Sequence, residues 1–366
     1  MKILFCGGGT GGHVTPAIAI AEYAQKLNSE TEFAFVGRLN GKENEIIKSK
    51  SYKLYEIEIY GLRRALSIKN IKLPFVLIKA VKKSREIIKE FKPEVVIGTG
   101  GYVCLPVLKA AQSLGIPTAI HESNAYPGLV TRLLSKKCNL VLLNTGEAKE
   151  YLKRKDNVKT VGNPISSAFY EITRNKARLE LGIKNNEFLI VSFGGSGGAE
   201  KLNSVIVEFI KKYSTKEASV KHIHASGEKY YKEIINENPE FKSKYHGVEI
   251  REYIKNMPTL LKASDLVIAR SGAMSVSEIL ASSAVSILIP SPNVTNNHQY
   301  KNAKNLEDKN AAVVIKEENL NYETLKKEVQ KLRKNVKRRN EIKKNTKDVF
   351  INNSAERIIE EINGIL

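Results

Sequence analysis

The sequence of 366 residues predicts an α/β protein made of two parallel-sheet domains in tandem. Short apolar, strand-like runs alternate with stretches of helical spacing. The alternation pauses near Gly162-Asn163-Pro164 and then starts again. Glycine-rich turns stand just past strand-like runs in both halves, where ligands of parallel sheets bind.

The first set of strand-like runs lies at 2–6, 33–36, 94–98, 118–121, 140–143 and 159–161, with helical spacing at 17–27 and 102–113 between them. The opening run leads into Gly7-Gly8-Gly9-Thr10-Gly11-Gly12-His13. So many glycines let the backbone bend sharply and approach a ligand closely, and Pro16 suits a first helical turn. Backbone N–H groups there would face an anion, with Thr10 and His13 at the same rim. The spacing is neither G-x-G-x-x-G nor a P-loop, since no Lys-Ser or Lys-Thr follows. Further on, Tyr60-Gly61-Leu62-Arg63-Arg64 precedes Leu73-Pro74-Phe75-Val76-Leu77-Ile78 and Lys79, Lys82 and Lys83. Residues 73–83 read either as an apolar and basic patch resting on an anionic bilayer or as a buried helix with a solvated flank. A second glycine turn, Gly98-Thr99-Gly100-Gly101-Tyr102, repeats the first. His121-Glu122-Ser123-Asn124 follows another strand, with His121 read as a structural or a site histidine.

The second set lies at 188–193, 221–225, 248–251, 266–269, 286–289 and 312–315. Gly194-Gly195-Ser196-Gly197-Gly198 is a third strand-to-helix glycine turn, whose Ser196 can bond a phosphate oxygen. Arg270-Ser271-Gly272-Ala273-Met274-Ser275-Val276-Ser277-Glu278 opens another helix. Glu278 there either favours the helix dipole or accepts the hydroxyls of a ribose. Gln299, on a loop after His298, offers a donor and an acceptor to a sugar hydroxyl. If the strand ends of both halves point the same way, the three glycine turns face one interdomain cleft.

The formal charge of +20 suits an anionic partner or merely many solvated lysines. Basic residues concentrate at 63–92 and 326–347; Leu325, Val329, Leu332 and Val336 give the latter a core-facing stripe, and nucleic-acid binding is the lesser reading. No apolar run reaches the length of a membrane span, and the chain enters a strand at once, so neither a transmembrane helix nor a leader is expected. Cys6, Cys104 and Cys138 show no metal or disulfide spacing.

Taken together and in order, these motifs resemble the MurG family, the bacterial undecaprenyl-diphospho-muramoyl-pentapeptide N-acetylglucosaminyltransferases of peptidoglycan synthesis. The likeness spans nearly the whole chain: Gly8-Gly9-Thr10-Gly11-Gly12-His13, Gly98-Thr99-Gly100-Gly101-Tyr102, His121-Glu122-Ser123-Asn124, Gly162-Asn163-Pro164, Gly194-Gly195-Ser196, Arg270-Ser271-Gly272-Ala273 with Glu278, and His298-Gln299. The resemblance implies two Rossmann-like domains facing a cleft, the GT-B architecture. It implies an acceptor and membrane-docking domain at 1–163, a UDP-sugar domain at 164–348, and a helix within 349–366 returning to the first. UDP-N-acetylglucosamine is the implied donor and the undecaprenyl-linked muramoyl-pentapeptide the implied acceptor. Donor contacts carried over by motif are Thr10, Gly11, Gly12, Asn124, Ser196, Ile254, Ala273, Met274, Ser275, Val276, Ser277, Glu278 and Gln299; acceptor contacts are Gly9, His13, Gly100, Gly101 and Tyr102. Implied partners are an anionic membrane surface and other cell-wall synthesis proteins, with no nucleic acid; the implied location is the cytoplasmic face of the inner membrane, peripherally. Two positions depart from the family pattern: Gly197 stands where a Gln is usual, and Ser166, beside Ile165, where an Arg is common.

Sugar transfer to a hydroxyl needs a base and positive potential at the leaving diphosphate. His13 is the first candidate base, with Glu122 as the alternative; His13 orienting a loop is the competing reading. No cofactor or metal is expected, because Asp156, Asp265, Asp308 and Asp348 form no Asp-x-Asp pair. A UDP-sugar epimerase on the same fold and a basic non-catalytic binding protein remain as alternatives.

Overall fold

The computed structural model describes residues 1–41, 44–61, 68–243 and 245–366. The expected cations Arg63 and Arg64, with Leu62, lie outside the described residues. The chain divides into two compact units, residues 1–165 with 351–366 and residues 166–350. The join read at 163/164 therefore falls at 165/166, and the returning segment begins at Ile351 rather than Val349.

The first unit is a seven-stranded, all-parallel sheet of order β3-β2-β1-β4-β5-β6-β7. Its strands are β1 (Lys2–Cys6), β2 (Glu32–Arg38), β3 (Leu54–Ile57), β4 (Val95–Gly98), β5 (Thr118–Glu122), β6 (Leu140–Leu143) and β7 (Val158–Thr160). The central strands β1, β4 and β6 are near-continuously apolar and, like β5, buried on both faces, as a helix-covered parallel sheet requires, while the edge strands β3 and β7 are not. Alternate residues point to opposite sides. Ile3, Phe5, Val95 and Ile97 pack with Val14, Ile18 and Ala21 of the helix Gly11–Leu27 and with Ile358, Ile359 and Ile362 of the helix Ser354–Asn363. Leu4, Cys6 and Val96 meet Ile87 and Phe91 of the helix Ile68–Phe91 and Val107 and Leu108 of the helix Cys104–Ser113 on the other side. Each of the three isoleucines of the final helix stabilises this unit by roughly 2 kcal/mol through burial.

Two local expectations change here. The first helix starts at Gly11, not near residue 17, so Pro16 lies inside it rather than in its first turn. Lacking an N–H, Pro16 can give no bond to the residue four before it. The edge strand β3 is absent from the expected runs: its four residues include Glu56 and it is flanked by Lys53 and Glu58, so it shows no continuous apolar run.

The second unit carries a six-stranded parallel sheet of order β10-β9-β8-β11-β12-β13. These are β8 (Phe188–Phe193), β9 (Val220–Ala225), β10 (Val248–Arg251), β11 (Leu266–Ala269), β12 (Ser286–Leu288) and β13 (Val313–Val314). In both sheets the chain runs outward from a central strand and then resumes on its other side, between β1 and β4 and between β8 and β11. Ligands bind at such switch points, outside the carboxyl ends of the strands.

The helix Ile68–Phe91, which holds residues 73–83, is buried on one face and exposed on the other. Ala80, Ile87 and Ile88 are buried, and Val76 and Leu77 pack on the core. The opposite face leaves Ile71, Phe75 and Ile78 exposed at 74%, 70% and 67%, spaced four and three apart. Lys72, Lys79, Lys82 and Lys83 are exposed along the same helix. Among the described residues no helix is long and apolar enough to cross a membrane.

Candidate active site

At the first switch point the turns after β1 and β4 interlock. Gly101 has φ +81°, and a Cβ there would stand 2.0 Å from the Gly8 carbonyl oxygen, so no larger residue fits without moving the turn. A Cβ on Gly100 would meet His13 Cδ2 at 2.6 Å; the imidazole thus packs closely against the second turn. Thr99 Oγ1 donates to the His13 carbonyl at 2.6 Å, which ties the helix start to β4. Tyr102 packs beside Gly9 and Gly61, 3.2 and 3.1 Å from where their Cβ atoms would be.

The hydrogen bonds of His13 assign its tautomer. Nδ1 lies 3.0 Å from the Gly8 carbonyl, which can only accept, and 3.3 Å from Thr10 Oγ1. The neutral ring therefore carries its proton on Nδ1, leaving the Nε2 lone pair free. His13, Gly11 and Gly12 are half-buried and Thr10 is exposed.

Glu122, the alternative base, is differently placed. It is buried, and Oε1 accepts from the Asn124 backbone N–H and Nδ2, both at 3.0 Å. Oε2 accepts from the Gly128 N–H at 2.8 Å and Thr131 Oγ1 at 2.7 Å. Four donors occupy the carboxylate, so it holds the loop after β5 and has no lone pair to spare for an acceptor proton. His121 is buried, with Nε2 donating to the Gly162 carbonyl at 2.9 Å, and burial lowers its pKa below the ordinary 6.5. It fastens the end of β5 to the Gly162 bend, where a Cβ would stand 2.4 Å from Ser354 Oγ.

In the second unit the turn after β8 leaves Ser196 exposed, with nothing within 4 Å of a Cβ on Gly195 or Gly197. After β11, the helix Ala273–Ala281 begins at Gly272, a cap residue with no side chain of its own. A helix start is the end of the dipole that attracts an anion. Ala273, Met274 and Ser275 are half-buried on the first turn. Val276 and Ser277 are not presented in the same way. Both are buried, and Ser277 Oγ donates to the Ala273 carbonyl at 3.0 Å, so the helix itself takes up this hydroxyl. Ile254, on the loop after β10, is buried.

Glu278 is half-buried, and its carboxyl has no hydrogen bond or ion pair among the described residues. Loss of water around it pushes its pKa up to about 7. A desolvated acid without a partner suits a site completed by a ligand's donors. Gln299 Oε1 accepts from the Ser291 N–H at 2.9 Å, which leaves the amide NH2 as the group it can offer. Ser271 Oγ donates to the Gln299 carbonyl at 2.9 Å, joining the loop after β11 to the helix His298–Asp308, in whose first turn Gln299 lies instead of on the expected loop.

Between these loops lies a cavity of about 560 Å³, lined among others by Gly194, Gly198, Tyr230, Arg270, Ser291 and Gln299. Arg270 donates to the Ile289 carbonyl at 3.1 Å and pairs with Glu317. Tyr230 and Glu317 were missed in the sequence because neither belongs to a motif; Arg270 stood in one but carried no assigned role. Also unforeseen is a buried polar chain beneath this loop. His224 Nδ1 lies 2.8 Å from Ser192 Oγ, which lies 2.8 Å from His222 Nε2, while His222 Nδ1 meets Ser214 Oγ at 2.9 Å. Burial lowers both histidines, His224 to about 4. Among the described residues no cluster of three or more His, Cys, Asp or Glu could hold a metal ion.

Residues 3–143 match the glycosyltransferase family 28 N-terminal domain, and residues 189–362 match its C-terminal domain. The chain belongs to glycosyltransferase family 28. Within that family it is 42% identical over 366 residues to the UDP-N-acetylglucosamine–N-acetylmuramyl-(pentapeptide) pyrophosphoryl-undecaprenol N-acetylglucosamine transferase of Acetivibrio thermocellus, covering 100% of this chain and 98% of that one. The transferase of the same name from Bacillus subtilis is 38% identical, with 99% of each chain covered. Family 28 membership makes this chain an enzyme, a glycosyltransferase. Among solved structures it resembles Acinetobacter baumannii MurG, with TM-score 0.77 at 24% identity over 99% of each chain. It also resembles the UDP-GlcNAc 2-epimerase from Neisseria meningitidis, with TM-score 0.67 at 15% identity over 100% of each. These structural likenesses establish the two-domain GT-B fold, which transferase and epimerase share. The reaction is distinguished by the full-length sequence identity.

Proposed function

We propose that this family 28 enzyme transfers N-acetylglucosamine from UDP-N-acetylglucosamine to the muramoyl sugar of undecaprenyl-diphospho-muramoyl-pentapeptide, with inversion at the anomeric carbon. The substrates follow from the relatives, whose printed activity is this transfer. The observation that carries the mechanism is the clamped His13 ring with its Nε2 free.

In this reading His13 Nε2 takes the proton of the acceptor hydroxyl as its oxygen bonds the anomeric carbon. The bond to the diphosphate breaks on the opposite face, and UDP leaves with the electron pair. An α-linked donor so yields a β-linked product. The start of the helix Ala273–Ala281 and the Ser196 turn receive the diphosphate. Glu278 accepts the ribose hydroxyls, Ile254 lies by the uracil, and the Gln299 amide donates to the sugar. Glu122, with all four bonds occupied, holds Asn124 in position.

The exposed Ile71, Phe75 and Ile78 with their neighbouring lysines support docking on an anionic bilayer, where a lipid-linked acceptor resides. The mechanism is tested with His13→Gln. Transfer should fall by about 10²–10⁴-fold, the usual worth of a general base, with UDP affinity unchanged. A variant that transfers at the wild-type rate would remove His13 from the chemistry.

A further inference from the structure

The 560 Å³ cavity of the second unit is lined by four charged side chains, Glu200, Lys201, Arg270 and Glu317. Arg270 is already committed, one guanidinium nitrogen to a backbone carbonyl and the other to Glu317. Its charge is neutralised on the spot. Glu200 adds a negative charge at the rim. The turn after β8 contributes only neutral donors, since Gly197 has no side chain and Ser196 offers a hydroxyl.

Lys201 stands apart from this accounting. It is exposed in the first turn of the helix Glu200–Lys212, and its ammonium has no hydrogen bond or ion pair among the described residues. It also lines an adjoining cavity of about 690 Å³ beside Tyr300 and Lys316. A cation in a first helical turn opposes the helix dipole, a small cost that a bound anion at the same place would offset. A leaving nucleoside diphosphate carries one more negative charge than it had when bonded to the sugar. Of the cavity's two cations, Lys201 is the one free to meet it.

We infer that Lys201 is the cation that binds the donor's diphosphate and takes up the charge developing on it as the sugar departs. This rests on the proposed UDP-sugar reading. The acceptor oxygen bonds the anomeric carbon, its proton goes to His13 Nε2, and the electron pair of the broken carbon–oxygen bond goes to the β-phosphoryl oxygen. The Lys201 ammonium donates hydrogen bonds to that phosphate and keeps its protons.

The test uses the full chain and its Lys201→Ala and Lys201→Arg variants, titrated calorimetrically with UDP and with uridine in phosphate-free buffer. Lys201→Ala should weaken UDP about tenfold, as loss of a charge-assisted bond does, with uridine affinity and thermal midpoint unchanged. Lys201→Arg should recover most of the loss. The transfer rate at saturating donor should also fall in Lys201→Ala, because the charge is greatest in the transition state. UDP bound equally by wild type and Lys201→Ala overturns the inference alone. An equal loss for UDP and uridine also overturns it, by assigning Lys201 to nucleoside packing. A wild-type protein that binds no UDP overturns the inference together with the functional reading.

Discussion

Replacing Glu278 with Gln should stabilise the protein at alkaline pH while removing nucleotide binding. Loss of water pushes this carboxyl up to about 7 in the fold, against an ordinary 4.5. A raised carboxyl pKa means the folded state holds the proton more tightly than the unfolded chain does. Its stabilising contribution is complete below about pH 4.5 and is lost as the pH rises through 7. The interval corresponds to about 3 kcal/mol. Gln stays neutral throughout, so Glu278→Gln should gain about 3 kcal/mol at pH 8 and under about 1 kcal/mol at pH 5. In a unit of this size that raises the thermal midpoint by roughly 5–10 °C at pH 8. The assay is paired thermal scans of both proteins at the two pH values, with UDP titrations alongside. Because ribose hydroxyls bond the ionised carboxylate, wild-type affinity for UDP should rise between pH 6 and 8, and Glu278→Gln should lose it. Equal midpoints at pH 8, or wild-type UDP affinity independent of pH across 7, would refute the reasoning.

Other expectations concern separate parts of the molecule. Gly101→Ala forces a Cβ to within 2.0 Å of the Gly8 carbonyl at φ +81°, so it should lower the thermal midpoint and displace His13; normal stability with full transfer would contradict that geometry. In the Glu278→Gln background, stability should fall as the pH drops from 6.5 toward 4, because unfolded histidines bind protons that buried His222 and His224 refuse; His224 alone accounts for about 3 kcal/mol, read by urea unfolding, and a flat profile would oppose this. Phe75→Ser should reduce cosedimentation with phosphatidylglycerol vesicles severalfold without changing stability, since the ring is 70% exposed; undiminished binding would move the docking surface elsewhere.

The two parallel sheets were legible because strands buried on both faces are written as short continuous apolar runs, such as Ile3-Leu4-Phe5 and Leu266-Val267-Ile268. Edge strand β3 was not, since Glu56 interrupts its four residues and Lys53 and Glu58 flank them. Glycine turns located the strand ends. Which side chains close on which turn was invisible, because the contact of His13 with Gly100 joins residues 87 positions apart in sequence. Motif position also does not give direction: Ser277 and Glu278 are neighbours on one helix, yet the first is bonded to that helix and the second has no partner among the described residues. Glu122 looked like an acid or base by type and place. Only its four donors identify it as a loop anchor.

The measurement that tests the central claim most directly is transfer of labelled N-acetylglucosamine from its UDP ester to a short-chain undecaprenyl-diphospho-muramoyl-pentapeptide analogue, with the anomeric configuration of the product read by NMR. The account predicts a β-linked disaccharide lipid formed by the wild type and lost in His13→Gln. An α-linked product would contradict direct displacement, and epimerised donor with no transfer to a competent acceptor would contradict the proposed reaction itself.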